Sequence, residues 1–306
     1  MCSIRTLRYQ SESTFFEKWK ACPHTKHNFD ATVVVLRVRG KGRCILGLLD
    51  GQVAIISGIG PGMGRDAALA CSKEGAKVVL AARTPAKVES VADEVAQIGG
   101  TALAIPTDVT DLAQIDHLVS STVSEFGQID ILVNNAFVQP PFETLEKMEL
   151  ESWYTSFEVN CTSALKMSRA VLPTMRKQNR GSIINVSTMS IRNNKPMFGA
   201  YAAAKSAMTS MTRTMSKEVG PDGIRVNAIC PGFIFGESVK WYLESLAKQN
   251  GTTYQDEYDK VANEIALRFI PNSEQICGSV IFFASELSAA CTGTSLDVNG
   301  GHYTTF

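Results

Sequence analysis

The sequence predicts an α/β fold: one doubly wound parallel sheet with helices on both faces, forming a single domain with a helical lid over its substrate side. Two observations carry this prediction. Short apolar runs alternate with stretches of helical spacing from residue 52 to the end, and a glycine-rich turn joins the first run to the first helix.

Each element has its own signature. Residues 53–56 are apolar without alternation, as in a strand buried on both faces, and end in glycines. Residues 65–75 place Ala67, Ala68, Ala70 and Cys71 at helical spacing and stop at a glycine. A second buried strand is expected over 77–82, then a helix over 85–98 closed by Gly99 and Gly100. Residues 102–105 make the third strand and 111–126 a helix; 129–133 make the fourth strand, followed by one long helix over 153–177. A strand over 182–186, a helix over 199–219 and strands over 225–229 and 295–298 complete the series. Right-handed crossovers then bring the loops after the strands to one edge.

Composition narrows the function classes. Thirty Lys and Arg balance thirty Asp and Glu, so no net field recruits nucleic acid or an anionic membrane. No apolar run approaches the roughly 18 residues of a membrane span. The eight cysteines are scattered without a CxxC pair and the histidines do not cluster, which reads as reduced, cytoplasmic usage with no metal site. Residues 1–46 carry nine Lys and Arg against three Asp and Glu. We read 1–47 as an N-terminal extension, weakly ordered or appended, and 48–306 as the catalytic domain. The alternative, a mitochondrial-type presequence, is opposed by Glu12, Glu17 and Asp30.

The glycine turn, Ser57-Gly58-Ile59-Gly60-Pro61-Gly62-Met63-Gly64, suits a pyrophosphate. Small residues let the backbone approach it, and the helix that follows offers free N–H groups and a partial positive charge. Gly58, Gly62, Met63 and Gly64 are therefore candidate cofactor contacts; a plain strand-to-helix turn is the alternative. At the end of the second strand a carboxylate would hold ribose hydroxyls and repel a 2′-phosphate. The sequence has Ala81-Ala82-Arg83 instead, and Arg83 favours NADP, with NAD the alternative if that side chain is merely solvated. Tyr201 and Lys205 lie four apart near the start of a helix, on one face. A phenol is protonated at neutral pH, and a neighbouring ammonium is expected to draw its pKa down toward the working range.

With these residues in order, the chain from 49 to 302 resembles the short-chain dehydrogenase/reductase family, in its simple alcohol and ketone dehydrogenase branch. The carrying motifs are TGxxxGxG as Ser57, Gly58, Gly62 and Gly64, and the adenine-pocket acid in Thr107-Asp108-Val109. NNAG stands as Asn134-Asn135-Ala136-Phe137, the active-site Asn as Asn160, and the serine-rich strand end as Asn185-Val186-Ser187-Thr188. YxxxK is Tyr201 and Lys205, followed by Arg225-Val226-Asn227 and Pro231-Gly232. The resemblance implies a Rossmann-like fold and hydride transfer between a nicotinamide cofactor and substrate carbon, which needs no metal. It implies that Tyr201 exchanges the proton with the substrate oxygen. Lys205 would hold the nicotinamide ribose and lower the Tyr201 pKa, and Asn160 would keep a water leading to bulk. A strand-end hydroxyl would hydrogen-bond the carbonyl oxygen. It further implies cofactor contacts from Asp108, Val109, Asn135, Tyr201, Lys205 and Ile234, and a homo-oligomer, tetramer or dimer, built through the helices at 153–177 and 199–219.

The sequence departs from the family at three places. Thr188 stands where a serine is usual, with Ser187 beside it as the competing carbonyl ligand; Phe137 replaces the last glycine of NNAG; and Gly236 stands where a threonine is usual, leaving the backbone near Ile234 to make its contact. Residues 233–270, the lid in the family, are rich in large apolar groups: Phe233, Phe235, Trp241, Tyr242, Leu243, Leu246, Tyr254, Tyr258 and Phe269. With Phe137, Phe142 and Met197 they suggest a roomy pocket for an apolar secondary alcohol or ketone, although packing of the lid onto the core would also use such rings. A 3-oxoacyl thioester reductase is the rival enzyme. A non-catalytic dinucleotide-binding protein is the rival from another class.

Overall fold

The computed structural model describes residues 47–303, so the extension expected over 1–47 lies, but for Gly47, outside the described residues. Seven strands form one sheet in the order β3-β2-β1-β4-β5-β6-β7, and every neighbouring pair is parallel. They are β1 (Val53–Ser57), β2 (Lys77–Ala82), β3 (Ala102–Pro106), β4 (Ile131–Asn134), β5 (Gly181–Val186), β6 (Ile224–Pro231) and β7 (Ser295–Val298). The order reverses between β1 and β4, so the crevice outside their carboxyl ends is the topological switch point, where open α/β sheets bind ligands.

Nine α-helices connect the strands among the described residues: α1 (Met63–Lys73), α2 (Pro85–Gln97), α3 (Leu112–Phe126), α4 (Leu150–Phe157), α5 (Ser163–Gln178), α6 (Gly199–Val219), α7 (Glu237–Asn250), α8 (Tyr254–Glu264) and α9 (Ser273–Ala284). Successive strand residues point to opposite faces, and the two cores follow from that. Ala54, Ile56, Val78 and Leu80 pack with Ala67 and Cys71 of α1, Val88 and Val91 of α2, and Ile276 and Val280 of α9. Val53, Ile55, Val79 and Ala81 pack on the other face with Ile115 of α3, Met167 and Val171 of α5, and Met215 and Val219 of α6.

The strands follow the apolar runs to within two residues, but two helical features differ from expectation. The single helix expected over 153–177 is α4 and α5 joined by a π-helical turn, Glu158–Thr162. A π turn inserts one extra residue without altering the side-chain pattern enough to be seen, and such turns gather at functional sites. Helix α9 was not anticipated, because it packs against α1 and β5 and its apolar residues nearly encircle it. Its one sequence signal was the capping box of Asn272 and Gln275, which the structure forms in full.

The segment expected as a lid, 233–270, holds the α7–α8 pair. Its ends meet where Phe235 N–H donates to the Pro271 carbonyl at 2.8 Å, and Leu243, Ile265 and Ile270 form its own small core. Glu257 binds the hairpin together: Oε1 accepts from Lys260 Nζ at 2.6 Å, Thr252 Oγ1 at 2.6 Å and Asn250 Nδ2 at 3.2 Å. The Lys260 hydrogen bond first, then those of Thr252 and Asn250, hold the Glu257 carboxyl down to about 2, from an ordinary 4.5. A carboxylate depressed on folding stabilises the fold fully above its unfolded value, and that contribution disappears as pH falls toward the folded one. Thermal stability should therefore drop more between about pH 5 and pH 3 in the wild type than in Glu257→Gln, read by intrinsic tryptophan fluorescence. Parallel acid titration curves for the two proteins would remove Glu257 from this role.

Candidate active site

The loops after β1, β2, β3, β4, β5 and β6 gather at one edge of the sheet, and each sequence-predicted site residue lies on or beside one of them. The glycine turn comes first. Gly58 has φ +75, and a Cβ there would lie 2.5 Å from Ala136 Cα, so the turn is pressed against the end of β4. Asn135 Nδ2 donates to the Gly58 carbonyl at 2.9 Å, and a Cβ on Gly64 would strike both groups. Ser57 Oγ completes the brace by accepting from the Asn135 and Ala136 amides at 3.2 and 3.3 Å. Gly60 and Gly62 behave differently: a Cβ on either meets nothing within 4 Å. Gly62 is also the N-cap of α1 and offers no side-chain acceptor to its first N–H groups. An open cradle of backbone faced by uncapped N–H groups fits the pyrophosphate of a dinucleotide. Met63 is buried under this turn, with Cys277 Sγ directed at its carbonyl at 3.9 Å.

Arg83 is exposed just beyond β2, close enough to Asp108 beyond β3 to act on it electrostatically. Burial opposes ionisation of Asp108, but the Thr110 amide and hydroxyl, at 2.9 and 2.7 Å, together with the Arg83 charge, outweigh it and keep the carboxyl below its usual range. Val109 beside it is buried, and Ile234, beyond β6, is half-buried against the core.

At the end of β5 the two candidate hydroxyls part. Ser187 Oγ is buried and shares a hydrogen bond with Thr209 Oγ1 of α6 at 3.0 Å. Thr188 Oγ1 accepts from the Ser190 amide at 3.2 Å, and its hydroxyl acts on the Tyr201 phenol. Tyr201 and Lys205 occupy one face of α6, as their spacing implies. Lys205 is 2% exposed, and its ammonium donates to the Val186 carbonyl at 2.7 Å. Burial draws the Lys205 pKa down to about 8, against a weaker opposite pull from Cys161 and Cys230.

The expected lowering of the Tyr201 pKa by Lys205 is not what the structure shows. Burial pushes the phenol up to about 12, and the group that opposes the rise is the Thr188 hydroxyl. The physical reason is placement: Lys205 directs its ammonium at the Val186 carbonyl and is not among the groups that act on the phenol, whereas the Thr188 hydroxyl is.

Asn160 lies at the middle of the π turn and is 1% exposed. Its Oδ1 accepts from the Val138 amide at 3.0 Å, and its Nδ2 donates to the Val138 carbonyl at 2.9 Å and to Ser156 Oγ at 3.2 Å. Ser156 and Ser57 were not singled out from the sequence. Ser156 does stand one helical turn before Asn160, which is a weak signal, and Ser57 shows in the sequence only as a substitute in the glycine motif.

The aromatic residues expected to line the pocket divide. Leu243 is buried; Phe235, Tyr254 and Tyr258 pack the lid, with ring centroids 5.8 Å apart for Phe235–Tyr258 and 6.5 Å for Tyr254–Tyr258. Phe137, Phe142, Met197, Trp241 and Tyr242 keep a large exposed surface. Among the described residues there is no cluster of His, Cys, Asp and Glu able to hold a metal ion, and no helix is long and apolar enough to cross a membrane.

The family model described as short chain dehydrogenase matches residues 52–243. D-beta-hydroxybutyrate dehydrogenase of Rhizobium meliloti is 33% identical over 257 residues, covering 82% of this chain and 98% of the relative. L-Sorbose reductase from Gluconobacter frateurii, solved with NADPH and L-sorbose, superposes with a TM-score of 0.80 at 30% identity, over 85% of this chain and 99% of that one. Xylitol dehydrogenase, solved with NAD+, superposes with a TM-score of 0.77 at 28% identity, over 83% and 99%.

The two kinds of glycine in the turn predict two kinds of defect. Gly58→Ala should lower the melting temperature markedly, because a Cβ at positive φ collides with the β4 backbone. Gly60→Ala should leave the melting temperature within about 2 °C yet weaken NADPH binding, measured by fluorescence titration. Equal stability losses in the two variants would contradict the cradle.

Proposed function

Because this chain belongs to the short-chain dehydrogenase family and is an oxidoreductase acting between CH–OH and C=O, we propose that it uses NADP(H) and takes a bulky, largely apolar secondary alcohol or ketone. The observation that carries the mechanism is the convergence of Thr188, Tyr201 and Lys205 at the end of β5. The bound nicotinamide supplies or accepts the hydride at the substrate carbon. Everything else falls to side chains of this chain. The Thr188 and Tyr201 hydroxyls hydrogen-bond the substrate oxygen and stabilise the charge that develops on it during reduction. With its phenol held up to about 12, Tyr201 is proton-loaded at neutral pH and gives its proton to that oxygen. Lys205, buried beside it, holds the ribose hydroxyls and helps reload the phenol. The Asn160 side-chain amide is taken by Val138 and Ser156, which leaves its main-chain carbonyl to keep a water on the path to bulk.

The exposed rings of Phe137, Phe142, Trp241 and Tyr242 with Met197 support an apolar substrate body. A groove along α5 and α6, lined by Leu165, Ala207, Met211 and Met215 together with Ser210, Thr214 and Glu218, supports the homo-oligomer expected through these helices. A cytoplasmic setting fits the cysteines, all free among the described residues.

Replacing Tyr201 by Phe should abolish turnover of ketones while leaving NADPH affinity nearly unchanged, since the proton matters only in the chemical step. A variant retaining a substantial fraction of wild-type kcat would overturn the mechanism. The cofactor preference rests on Arg83, whose guanidinium gains a bidentate partner only from a 2′-phosphate. Such a hydrogen bond is worth about 1.5–3 kcal/mol, or roughly tenfold to a hundredfold in kcat/KM for NADPH over NADH. Ala82→Asp combined with Arg83→Ala should reverse the order, and equal use of both cofactors by the wild type would refute the NADP assignment.

A further inference from the structure

Ser156 is a fully buried hydroxyl on α4 to which neither the reaction nor the cofactor site assigns a part. It precedes Asn160 by four residues, and its Oγ accepts from Asn160 Nδ2 at 3.2 Å. The same oxygen donates to the Ala200 carbonyl at 3.2 Å. Ala200 lies in the first turn of α6, directly before Tyr201. One hydroxyl thus joins the π turn that carries Asn160 to the helix that carries Tyr201 and Lys205.

The hydrogen-bond arithmetic leaves little freedom. The Asn160 amide has two N–H groups; one goes to the Val138 carbonyl and the other to Ser156. An apolar side chain at 156 would strand the second N–H in a buried site, and the α4–α6 contact would lose its polar tie. The π turn sharpens the need, because its interrupted helical ladder offers less backbone restraint at Asn160 than a regular helix would.

We propose that Ser156 is a positioning residue for the proton relay, fixing Asn160 relative to the Tyr201–Lys205 pair. This inference rests on the reading of Tyr201 and Lys205 given above. The test compares the wild type with Ser156→Ala and with the near-isosteric Ser156→Cys, whose thiol is a poor hydrogen-bonding group. Both variants should lose about tenfold in kcat, with the ketone KM and the NADPH dissociation constant unchanged within about twofold. The solvent deuterium isotope effect on kcat should rise, because proton delivery becomes more limiting. Without cofactor or substrate, hydrogen exchange at the Val138 amide, which is held by Asn160 Oδ1, should accelerate about tenfold. Wild-type kcat in either variant would overturn the proposal. So would a loss that merely matches a fall in the number of NADPH-binding sites, with the isotope effect unchanged. An enzyme that needs Tyr201 but ignores Ser156 defeats this inference alone, whereas full turnover by Tyr201→Phe defeats the reading beneath it.

Discussion

The buried ammonium of Lys205 is the constraint around which the site is organised. A lysine that is 2% exposed has lost most of its hydration, and its pKa falls to about 8 for that reason. At neutral pH it is still mostly charged, so the fold must offer it acceptors or suffer an unpaired charge in the interior. The Val186 carbonyl is the acceptor this chain provides, at 2.7 Å. An ammonium has three donors, so the Val186 carbonyl leaves two for the ribose hydroxyls proposed to bind there. Placing Lys205 four residues after Tyr201 on α6 ties this charge to the phenol's helix, and ending β5 at Val186 ties it to the strand that also delivers Thr188.

A charge in that position tolerates little movement, and the surrounding polar network supplies rigidity. Asn134 Nδ2 donates to Asn185 Oδ1 at 2.9 Å, and Asn185 Nδ2 donates to Thr212 Oγ1 of α6 at 2.8 Å. Ser168 of α5 joins at 3.3 Å, so β4, β5, α5 and α6 are held by directional bonds as well as by apolar packing. The glycine turn is braced on the other side by Ser57 and Asn135, and the opposite edge of the sheet is anchored by Asp130, whose carboxylate accepts from the Val53 amide at 2.9 Å. The rigid scaffold ends at the lid. There Phe233 is the hub: Lys195 Nζ lies 5.5 Å from its ring centroid, and Tyr242 and His302 stack on it at 6.1 and 5.8 Å. Such contacts are soft and non-directional compared with the network beneath, which suits the substrate side proposed for this segment.

Much of this was legible in the residues themselves. Buried strands of a parallel sheet read as continuous apolar runs, and the glycines of the turn announce a backbone that must bend and be approached closely; both are local consequences of sterics and solvation. The Tyr201–Lys205 pair was legible because helical geometry alone places positions four apart on one face. What tertiary structure decided is of another kind. Ser187 and Thr188 are neighbours with the same functional group, and only the position of Thr209 on α6 shows which hydroxyl is consumed in the core and which reaches Tyr201. The direction of the Tyr201 shift, the division of the lid rings between packing and exposure, and the bridge from Ser156 to Ala200 depend likewise on groups 13 to 44 residues or more away in the chain. Local sequence sets backbone conformation and which faces are apolar, whereas desolvation and hydrogen-bond partnership are set by what the fold brings alongside.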